Sequence, residues 1–338
     1  IRSVYAGIAG SHIKGFNSHG VIAVKGGEVS PRDIERALDA AKAVAIPLDR
    51  EVIHILPQEY IVDDQRGIAD PMGMAGVRLE VKVHIVTGAV TSAQNIVRSC
   101  HKSGLDVSDI VLESLASAKA VLTEEEREIG VALIDLGGGT CDIAIFANDS
   151  IKHTGVLALG GQNLTNDIAF GLRTPMAAAE KIKIKHGAAI AEMVRPDEYI
   201  EVPSVGGREP RRLSRQVLAE ICEPRMEEIL TLLDQELVRS GLKNMIGAGV
   251  VLTGGTALIQ GCQELGEQVF NLPTRIGYPR NVGGLKDMVN SPKFATAMGL
   301  LRFGAEKEGM EQKFRIRSDG NVFNSILSRM KKWFSEIS

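Results

Sequence analysis

Apolar and polar positions in this chain follow two periods, a two-residue repeat typical of strands and a three-to-four-residue repeat typical of helices. The clearest two-residue repeat places Val77, Leu79, Val81, Val83 and Ile85 between Arg78, Glu80, Lys82 and His84. This alternation predicts an antiparallel strand with one solvated face. A helix is predicted after the N-cap pair Ser30-Pro31, and a further strand at 51–56. We therefore expect a small α+β insertion over residues 23–88.

The segments on either side of this insertion also alternate between strand and helix. Short strands are predicted at 4–8 and 110–112, and helices at 91–100 and 113–122. The acidic run 124–128 is interpreted as a solvated loop. Together these segments predict the core of one α/β lobe, formed by residues 1–22 and 89–129.

The segment 131–146, VALIDLGGGTCDIAIF, predicts two apolar strands joined by a turn of three glycines. Glycine has no Cβ, so at Gly137, Gly138 and Gly139 the backbone can take positive φ and bring its N–H groups close to a polyphosphate. Thr140 adds a hydroxyl to this turn. No Lys-Ser/Thr pair and no helix follow the glycines, which excludes a Walker loop and the dinucleotide fingerprint. A plain glycine-rich hairpin is the alternative interpretation.

Two carboxylates flank the glycine turn. Asp135 precedes the glycines and Asp142 follows them. Carboxylates repel phosphate groups but bind Mg²⁺ or its water shell. The pattern therefore predicts a Mg²⁺ site, with the ion bound through water, beside a phosphate-binding turn.

A second glycine turn follows later in the chain, where the predicted strand 248–252 runs into Thr253-Gly254-Gly255-Thr256 and a helix. Between the two turns the sequence is mostly helical, with a Pro/Gly/Arg-rich interruption at 203–215 and two predicted helices after it. The apolar stripe of these helices is Ile221, Met226, Ile229, Leu230, Leu233 and Leu237. We expect a second lobe formed by 130–165 and 246–303, with a small subdomain at 166–245.

Composition narrows the class of protein. The 338 residues carry a net charge of -3, which does not favour a nucleic-acid partner. The four cysteines are far apart and form no C-x-x-C pair, so neither a zinc site nor a disulfide framework is indicated. The sequence shows no signal peptide and no apolar run long enough to span a bilayer. It begins without Met, which suggests a fragment.

The order of these motifs resembles that of the actin, sugar-kinase and heat-shock chaperone ATPase superfamily, including a closing Ala-x-Ala-x-Gly helix at 295–299. The resemblance implies that the hairpin is the second phosphate loop and that Gly254, Gly255 and Thr256 lie under the adenosine. It also implies that Glu180 and Lys183, neighbours on one helical face, hold the ribose. A surface ion pair is the alternative interpretation of this pair. The superfamily's first phosphate loop is expected before residue 1, so the first lobe is expected to lack its N-terminus.

Within this superfamily the whole chain resembles the FtsA family of actin-like bacterial cell-division proteins. The segments that carry the resemblance are ILPQEY (55–60), GVRLEVKVHIVT (76–87), IDLGGGTCDIAIF (134–146), VPSVGGREPRRLSRQVLAEICEPR (202–225) and VLTGGTALIQG (251–261). They imply a two-lobed, actin-like α/β ATPase fold with an inserted α+β subdomain and a C-terminal amphipathic helix.

The same resemblance implies a function. It implies a protein that binds ATP with Mg²⁺, polymerises, and tethers the FtsZ division ring to the cytoplasmic face of the inner membrane at the division site. Other division proteins are implied as further partners, and ATP hydrolysis is expected to be slow at most. The alternative is another ATPase of the superfamily, either chaperone-like, sugar-kinase-like or a rod-shape filament protein. A kinase needs a catalytic Asp base, and the sequence offers none outside the hairpin carboxylates.

Two further sets of site residues follow from the resemblance. Glu113 occupies the position of the superfamily's water-orienting Glu or Gln, and a charge that complements the helix dipole is the alternative interpretation. The subdomain that docks the C-terminal tail of FtsZ contains a cationic cluster of Arg208, Arg211, Arg212 and Arg215. A solvated basic turn is the alternative interpretation of that cluster.

The C-terminal segment 321–338 has an apolar stripe at helical spacing with cationic residues at its edges. The residues expected to contact an anionic lipid membrane are Phe323, Ile326, Leu327, Met330, Lys331, Lys332, Trp333 and Phe334. Segment 304–320 is polar and is predicted to be a linker. An amphipathic membrane-targeting helix on a tether is therefore expected, and a helix docked on the protein's own core is the alternative.

Overall fold

The computed structural model describes residues 2–281, 283 and 289–317. The chain divides into two units, residues 1–300 and 301–338, and the fold described below is that of the first. The strands are β1 (Ser3–Ile8), β2 (Lys14–Ala23), β3 (Arg50–Val62), β4 (Gln65–Ile68), β5 (Arg78–Ala89), β6 (Asp106–Leu112), β7 (Val131–Leu136), β8 (Cys141–Ala147), β9 (Ser150–Leu157), β10 (Tyr199–Val202), β11 (Arg211–Ser214), β12 (Val250–Thr253) and β13 (Thr274–Ile276). The helices are α1 (Pro31–Lys42), α2 (Val90–Lys102), α3 (Glu113–Val121), α4 (Glu124–Ile129), α5 (Gly161–Gly171), α6 (Met176–His186), α7 (Arg215–Arg239), α8 (Cys262–Phe270) and α9 (Ala295–Arg317).

A five-stranded sheet in the order β13-β12-β7-β8-β9 forms the centre of the second lobe. β12 runs parallel to β13 and β7, whereas β8 runs antiparallel to β7 and β9. Ile134 and Ile143 belong to the core on one face of this sheet, and Leu133 and Ala144 to the core on the other. Burial of both faces explains why the β7 sequence VALIDL is almost continuously apolar. The predicted hairpin is confirmed.

One long helix, α7, packs against this core where the sequence predicted two. Pro224 lies inside α7 and removes one backbone N–H from the helix. Apolar residues on both sides of Pro224, such as Cys222 and Met226, are fully buried in the same cluster. This shared burial holds the two halves of α7 in one helix despite the proline. The predicted stripe is buried as expected, except that Ile221 is only partly buried.

In the first lobe, β1 and β6 form a parallel two-stranded sheet, and α3 begins directly after β6. The acidic run that was predicted to be a loop is helix α4. The hydroxyl of Thr123 accepts a hydrogen bond from the backbone N–H of Glu126 at 3.0 Å, and the Glu126 carboxylate accepts one from the N–H of Thr123 at 2.9 Å. This capping box starts a helix that charge alone does not predict.

The insertion contains a four-stranded antiparallel sheet in the order β2-β5-β3-β4, with α1 on one face. β2 pairs with β5 from Lys14 to Ala23, so the insertion begins earlier than the predicted residue 23. The glycines and polar residues of KGFNSHG hide the alternation that would have identified this strand. The predicted alternation is confirmed from Arg78 to Val83, but Val77, expected on the buried face, precedes β5 and is 70% exposed. His84 was expected on a solvated face and is 1% exposed.

The closing helix α9 begins at Ala295, as predicted, and continues to Arg317. The predicted linker is therefore helical over residues 304–317, which are rich in the good helix formers Glu, Lys, Gln and Arg. The predicted membrane-targeting segment 321–338, with all of its candidate lipid contacts at 323–334, lies outside the described residues. Among the residues that the structure describes, no helix is long and apolar enough to cross a bilayer.

Gly299 marks a close approach between α9 and α3. A Cβ atom built on Gly299 would lie 1.8 Å from the carbonyl oxygen of Ala116. We expect Gly299→Ala to lower the free energy of unfolding in urea by about 2 kcal/mol or more, through overpacking. The control Ala297→Gly, at an exposed position of the same helix, should cost only about 0.5–1 kcal/mol of helix propensity. A Gly299→Ala variant as stable as the parent would contradict this close packing.

Candidate functional site

The glycine turn between β7 and β8 is anchored at one end and open at the other. The anchored end is Gly137, which packs so closely inside the turn that a Cβ at this position would lie 2.8 Å from the carbonyl oxygen of Thr140. Gly138 and Gly139 are exposed, and a Cβ on either would meet no atom within 4 Å. The positive φ that glycine allows is not used here, since none of the three is in the left-handed region. The missing side chain allows close packing within the turn at Gly137 and leaves the backbone uncovered at Gly138 and Gly139.

Helix α5 packs its first turn directly against the glycine turn. The N–H of Gly161 donates to the carbonyl oxygen of Gly137 at 2.9 Å, and the N–H of Gln162 donates to that of Gly138 at 2.7 Å. A Cβ on Gly160 would lie 2.7 and 2.8 Å from these same two oxygens. Gly160 and Gly161 are therefore required by the packing, a role that the sequence did not reveal.

The second glycine turn meets the first one. Gly254 has a φ of +88°, and a Cβ there would lie 2.4 Å from Oδ1 of Asp135. The Thr256 hydroxyl donates to the carbonyl oxygen of Gly137 at 3.0 Å. A 3₁₀ turn at Thr256–Leu258 follows, so α8 begins at Cys262 and not directly after the glycines as predicted. Gly255 faces open space, with the nearest non-local atom 3.9 Å from its built Cβ.

Glu180 and Lys183 lie side by side on α6, as their spacing predicts, with Nζ of Lys183 2.8 Å from Oε2 of Glu180. Lys183 is 8% exposed, and its ammonium also donates to the carbonyl oxygen of Gly161 and to the Thr165 hydroxyl, both at 2.9 Å. Thr165 in turn bonds Glu180. Three acceptors thus surround the ammonium, and Lys183 ties α6 to the turn that supports Gly137. The sequence did not predict Thr165 as part of this site.

The two hairpin carboxylates face each other across β7 and β8 and are both buried. Asp135 accepts hydrogen bonds from the hydroxyls of Ser117 at 2.6 Å and Thr296 at 3.2 Å. Asp142 accepts one from Thr140 at 3.0 Å through Oδ2, while its buried Oδ1 has no hydrogen-bond partner. Ser117 and Thr296 join α3 and α9 to the site, a contact between distant segments that the sequence did not show.

Burial sets the electrostatics of these carboxylates. It raises the pKa of Asp142 to about 7, with smaller contributions from the charges of Asp135 and Glu113. Burial also raises the pKa of Asp135, against the two hydroxyl hydrogen bonds that lower it. Glu113 is the first residue of α3 and lies against Gly7 of β1. A Cβ atom placed on Gly7 would lie 3.0 Å from both Cγ and Oε1 of Glu113. The pKa of Glu113 is raised by burial and then by Asp135.

These residues fit a hydrated Mg²⁺ ion. The unpartnered Oδ1 of Asp142 is the kind of acceptor that a cation or its water would satisfy. Mg²⁺ in nucleotide sites is held by one or two carboxylates together with phosphate oxygens and water, rather than by a protein cage. Within the described ranges no cluster of three or more His, Cys, Asp or Glu is arranged as such a cage.

The predicted arginine cluster is divided by the structure. Arg215 is enclosed in the protein, since it donates to the carbonyl oxygen of His186 at 2.8 Å and pairs with Glu198 at 2.6 Å. Arg211 bonds the carbonyl oxygen of Leu172. Arg212 lies over the ring of Tyr199, with its guanidinium carbon 4.3 Å from the ring centroid, and Arg208 is exposed.

Comparison with known proteins identifies the family. The family model described as cell division protein FtsA matches residues 132–299, and the model described as the SHS2 domain inserted in FtsA matches residues 10–87. The cell division protein FtsA of Pseudomonas aeruginosa is 50% identical over 339 residues, which cover 98% of this chain and 81% of the relative. The corresponding protein of Escherichia coli is 41% identical over 98% of this chain and 81% of its own length.

Solved structures show the same fold at low sequence identity. The PilM-PilN type IV pilus biogenesis complex matches with a TM-score of 0.60 and 16% identity, over 89% of this chain and 79% of that chain. MreB5 of Spiroplasma citri bound to ADP matches with a TM-score of 0.51 and 20% identity, over 66% of this chain and 68% of that chain. At such identities the likeness concerns the fold alone.

The sheet order, the two facing glycine turns and the inserted module define an actin-like ATPase fold with an SHS2 insertion. Among proteins of this fold, the chain belongs to the FtsA family of cell division proteins.

The raised pKa of Asp142 predicts a pH-dependent loss of stability. The folded state keeps a proton on Asp142 up to about pH 7, whereas the unfolded state releases it near the ordinary value of 3.8. The stability that this proton contributes is complete at low pH and disappears as the pH rises towards 7. We expect Asp142→Asn to exceed the parent in free energy of unfolding at pH 8 by up to about 4 kcal/mol, with a gap that narrows towards pH 4. A gap that stays constant from pH 4 to pH 8 would rule out the buried carboxylate as its cause.

Proposed function

We propose that this chain is an ATP-binding adaptor that polymerises and tethers the FtsZ division ring to the cytoplasmic face of the inner membrane in bacterial cell division. Membership of the FtsA family supports the proposal and disfavours a chaperone, a sugar kinase or a rod-shape filament protein. The observation that carries its chemical part is the glycine turn, which is anchored at Gly137 from two sides and exposed at Gly138 and Gly139.

The nucleotide would bind along the two facing glycine turns. The exposed backbone of Gly138 and Gly139, with Thr140, would hold phosphate groups, and Gly254, Gly255 and Thr256 would lie under the adenosine. For the ribose, the contacts favour Glu180 as the direct ligand, because its side chain is 43% exposed while that of Lys183 is 9% exposed. Lys183 would orient the Glu180 carboxylate and keep α5 against the turn. MreB5 of Spiroplasma citri, which shares the fold, is bound to ADP, and this supports the proposal that the present chain binds a nucleotide.

Asp142 and Asp135 are the residues that would hold Mg²⁺, whose charge would offset that of the phosphate groups. Asp142 would hold its water shell through Oδ1, and Asp135 would contribute from the opposite strand. Glu113 would orient a water molecule at the end of β6, and burial, which raises its pKa, makes this carboxyl group a better proton acceptor than an exposed glutamate. We regard hydrolysis as slow at most, so ATP serves mainly to set the state of assembly.

Head-to-tail polymerisation and membrane attachment would act together. A single amphipathic helix at 321–338 would bind lipid reversibly, and a polymer would present many copies. Linking many weak contacts raises the overall affinity through effective concentration. The polymer would then hold FtsZ and other division proteins at the inner membrane.

For the nucleotide site, we expect Gly138→Arg to abolish ATP binding in isothermal titration, because the new side chain fills the approach to the phosphate turn. The measurement uses the chain joined to the family's first phosphate loop. The control Gly26→Arg places the same side chain at another open glycine, where a Cβ would have no atom closer than 3.9 Å. The Gly26→Arg variant should bind ATP like the parent. Retained ATP binding by Gly138→Arg would argue against the phosphate turn.

For the membrane segment, we expect a chain ending at residue 320 to lose flotation with anionic liposomes. The full chain should float with anionic vesicles and more weakly with neutral ones, because Arg329, Lys331 and Lys332 flank the apolar stripe. Phe334→Glu in the full chain should reduce flotation as the truncation does. Equal flotation of the truncated and full chains would reject the tail as the membrane anchor.

For the FtsZ partner, the contacts single out Arg208 and Arg212. We expect Arg208→Ala and Arg212→Ala to weaken binding of an FtsZ C-terminal peptide by about 5- to 30-fold each in fluorescence anisotropy, without loss of stability. The control Arg239→Ala removes an exposed arginine outside this subdomain turn, and it should leave the affinity unchanged. Arg215→Ala should instead lower the melting temperature, because Arg215 is bonded within the protein. Unchanged affinity in both Arg208→Ala and Arg212→Ala would refute docking at this cluster.

A further inference from the structure

The insertion contacts both lobes through one row of polar side chains. We name Asn17, His54, Gln58 and His84 the polar row; they come from β2, β3 and β5 of the insertion sheet. The buried residues of β5 that face α1, such as Val83 and Ile85, alternate with His84, so His84 points to the opposite face. That face meets β6 of the first lobe and β9 of the second.

The contact with the second lobe is built around His84. Its Nδ1 lies 2.7 Å from Oδ1 of Asn17, and its Nε2 lies 2.8 Å from the hydroxyl oxygen of Thr154 in β9. The Asn17 amide oxygen is an acceptor, so Nδ1 carries the proton and Nε2 accepts from Thr154. Burial lowers the pKa of His84 to about 4, which keeps this neutral form at physiological pH.

Two amide side chains complete this contact. Gln58 donates to the carbonyl oxygen of Ile151 at 2.7 Å, and Asn17 donates to that of Lys152 at 3.3 Å. Strand β9 is the last strand of the five-stranded sheet, so these carbonyl groups lie on a sheet edge. The side-chain amides of the insertion thus donate hydrogen bonds to backbone carbonyl groups that would otherwise be open to pairing with another strand.

The contact with the first lobe is made by His54. The backbone N–H of Leu112 donates to Nε2 of His54 at 2.9 Å. Leu112 is the N-cap residue of α3, and Glu113 is the first residue of that helix. A side chain of the insertion therefore fixes the junction that carries Glu113.

We propose that the polar row is a coupling element, in which His54 and His84 are positioning residues that set Glu113 and the β8–β9 hairpin relative to each other. Thr154 pairs with Ala144 in β8, two positions from Asp142, so the row connects the insertion to carboxylates on both sides of the site. A ligand that binds the insertion would act on the nucleotide site through this row, and by reciprocity nucleotide would act on the insertion. The nucleotide part of this inference rests on the proposed function.

The first experiment uses a wedge between the insertion and β9. A Cβ on Gly15 would lie 2.2 Å from the Thr154 hydroxyl oxygen and 2.6 Å from Nε2 of His84, so Gly15→Ala must displace this contact. We expect Gly15→Ala to raise amide hydrogen exchange about tenfold in β9 and also at Leu112, which the wedge does not touch. Gly26→Ala, an open position in the insertion, should leave both unchanged. If Gly15→Ala does not fold, Thr154→Val removes the same hydrogen bond isosterically and carries the same expectation.

The second experiment tests positioning by rescue. His54→Leu removes the acceptor for the Leu112 N–H, whereas His54→Gln keeps an acceptor near the same place. We expect His54→Leu to raise exchange at Leu112 and in β9 about tenfold and to weaken ATP binding about tenfold, and His54→Gln to restore both towards the parent. If His54 served stability alone, its substitution would not change exchange in β9 or the affinity for ATP, and His54→Gln would have nothing to restore at these distant sites.

The outcomes separate this inference from the proposed function. Faster exchange confined to β9 in Gly15→Ala, with Leu112 unchanged, overturns the coupling. Unchanged ATP affinity in His54→Leu, in a parent that binds ATP, overturns the link to the nucleotide site. ATP binding is measured, as above, on the chain joined to the family's first phosphate loop; a parent of this kind that binds no ATP contradicts the proposed function. The exchange at Leu112 and β9 then decides the coupling without nucleotide.

Discussion

The candidate site depends on the carbonyl oxygen of Gly137. This oxygen accepts one hydrogen bond from the backbone of Gly161 and one from the hydroxyl of Thr256, so both of its lone pairs are used. The two bonds join the glycine turn to the first turn of α5 and to the second glycine turn. Because Gly137 is held from two sides, the next two residues can remain exposed without losing their geometry. A phosphate-binding backbone is effective only when such a support fixes it before the ligand arrives.

Lys183 extends this support into the small subdomain. Its buried ammonium reaches the carbonyl oxygen of Gly161, one hydrogen bond away from Gly137. A movement of α6 would therefore reach the glycine turn through only two hydrogen bonds. Asp142, in contrast, is buried without a full set of hydrogen bonds, so its charged form is poorly stabilised. The site thus combines a Gly137 carbonyl oxygen that is fully hydrogen-bonded with a carboxylate that gains from a cation.

Sequence reasoning recovered the parts of this site that lie close together along the chain. The hairpin follows from continuous apolar strands around three glycines, and the Glu180–Lys183 contact follows from helical spacing. Contacts between distant segments were not predictable in this way, which is why Ser117, Thr165 and Thr296 were missed. None of the three glycines uses the positive φ that glycine allows, and the close contact that a Cβ would break lies at Gly160, which packs against the carbonyl oxygens of Gly137 and Gly138. Likewise α4 depends on one capping box inside an acidic run.

His84 shows how far tertiary context can override a local pattern. The alternation along β5 places it with Arg78, Glu80 and Lys82, and periodicity alone assigns all four to solvent. Three of them keep some exposure, but His84 is buried because the insertion packs against β9 at this point. Both ring nitrogens are hydrogen-bonded in one tautomer, so burial costs little beyond the loss of the charged form. A hydrophobic residue would fill the same space without fixing Asn17 and Thr154 in register, which makes the histidine a device for specific docking of the insertion rather than for stability alone.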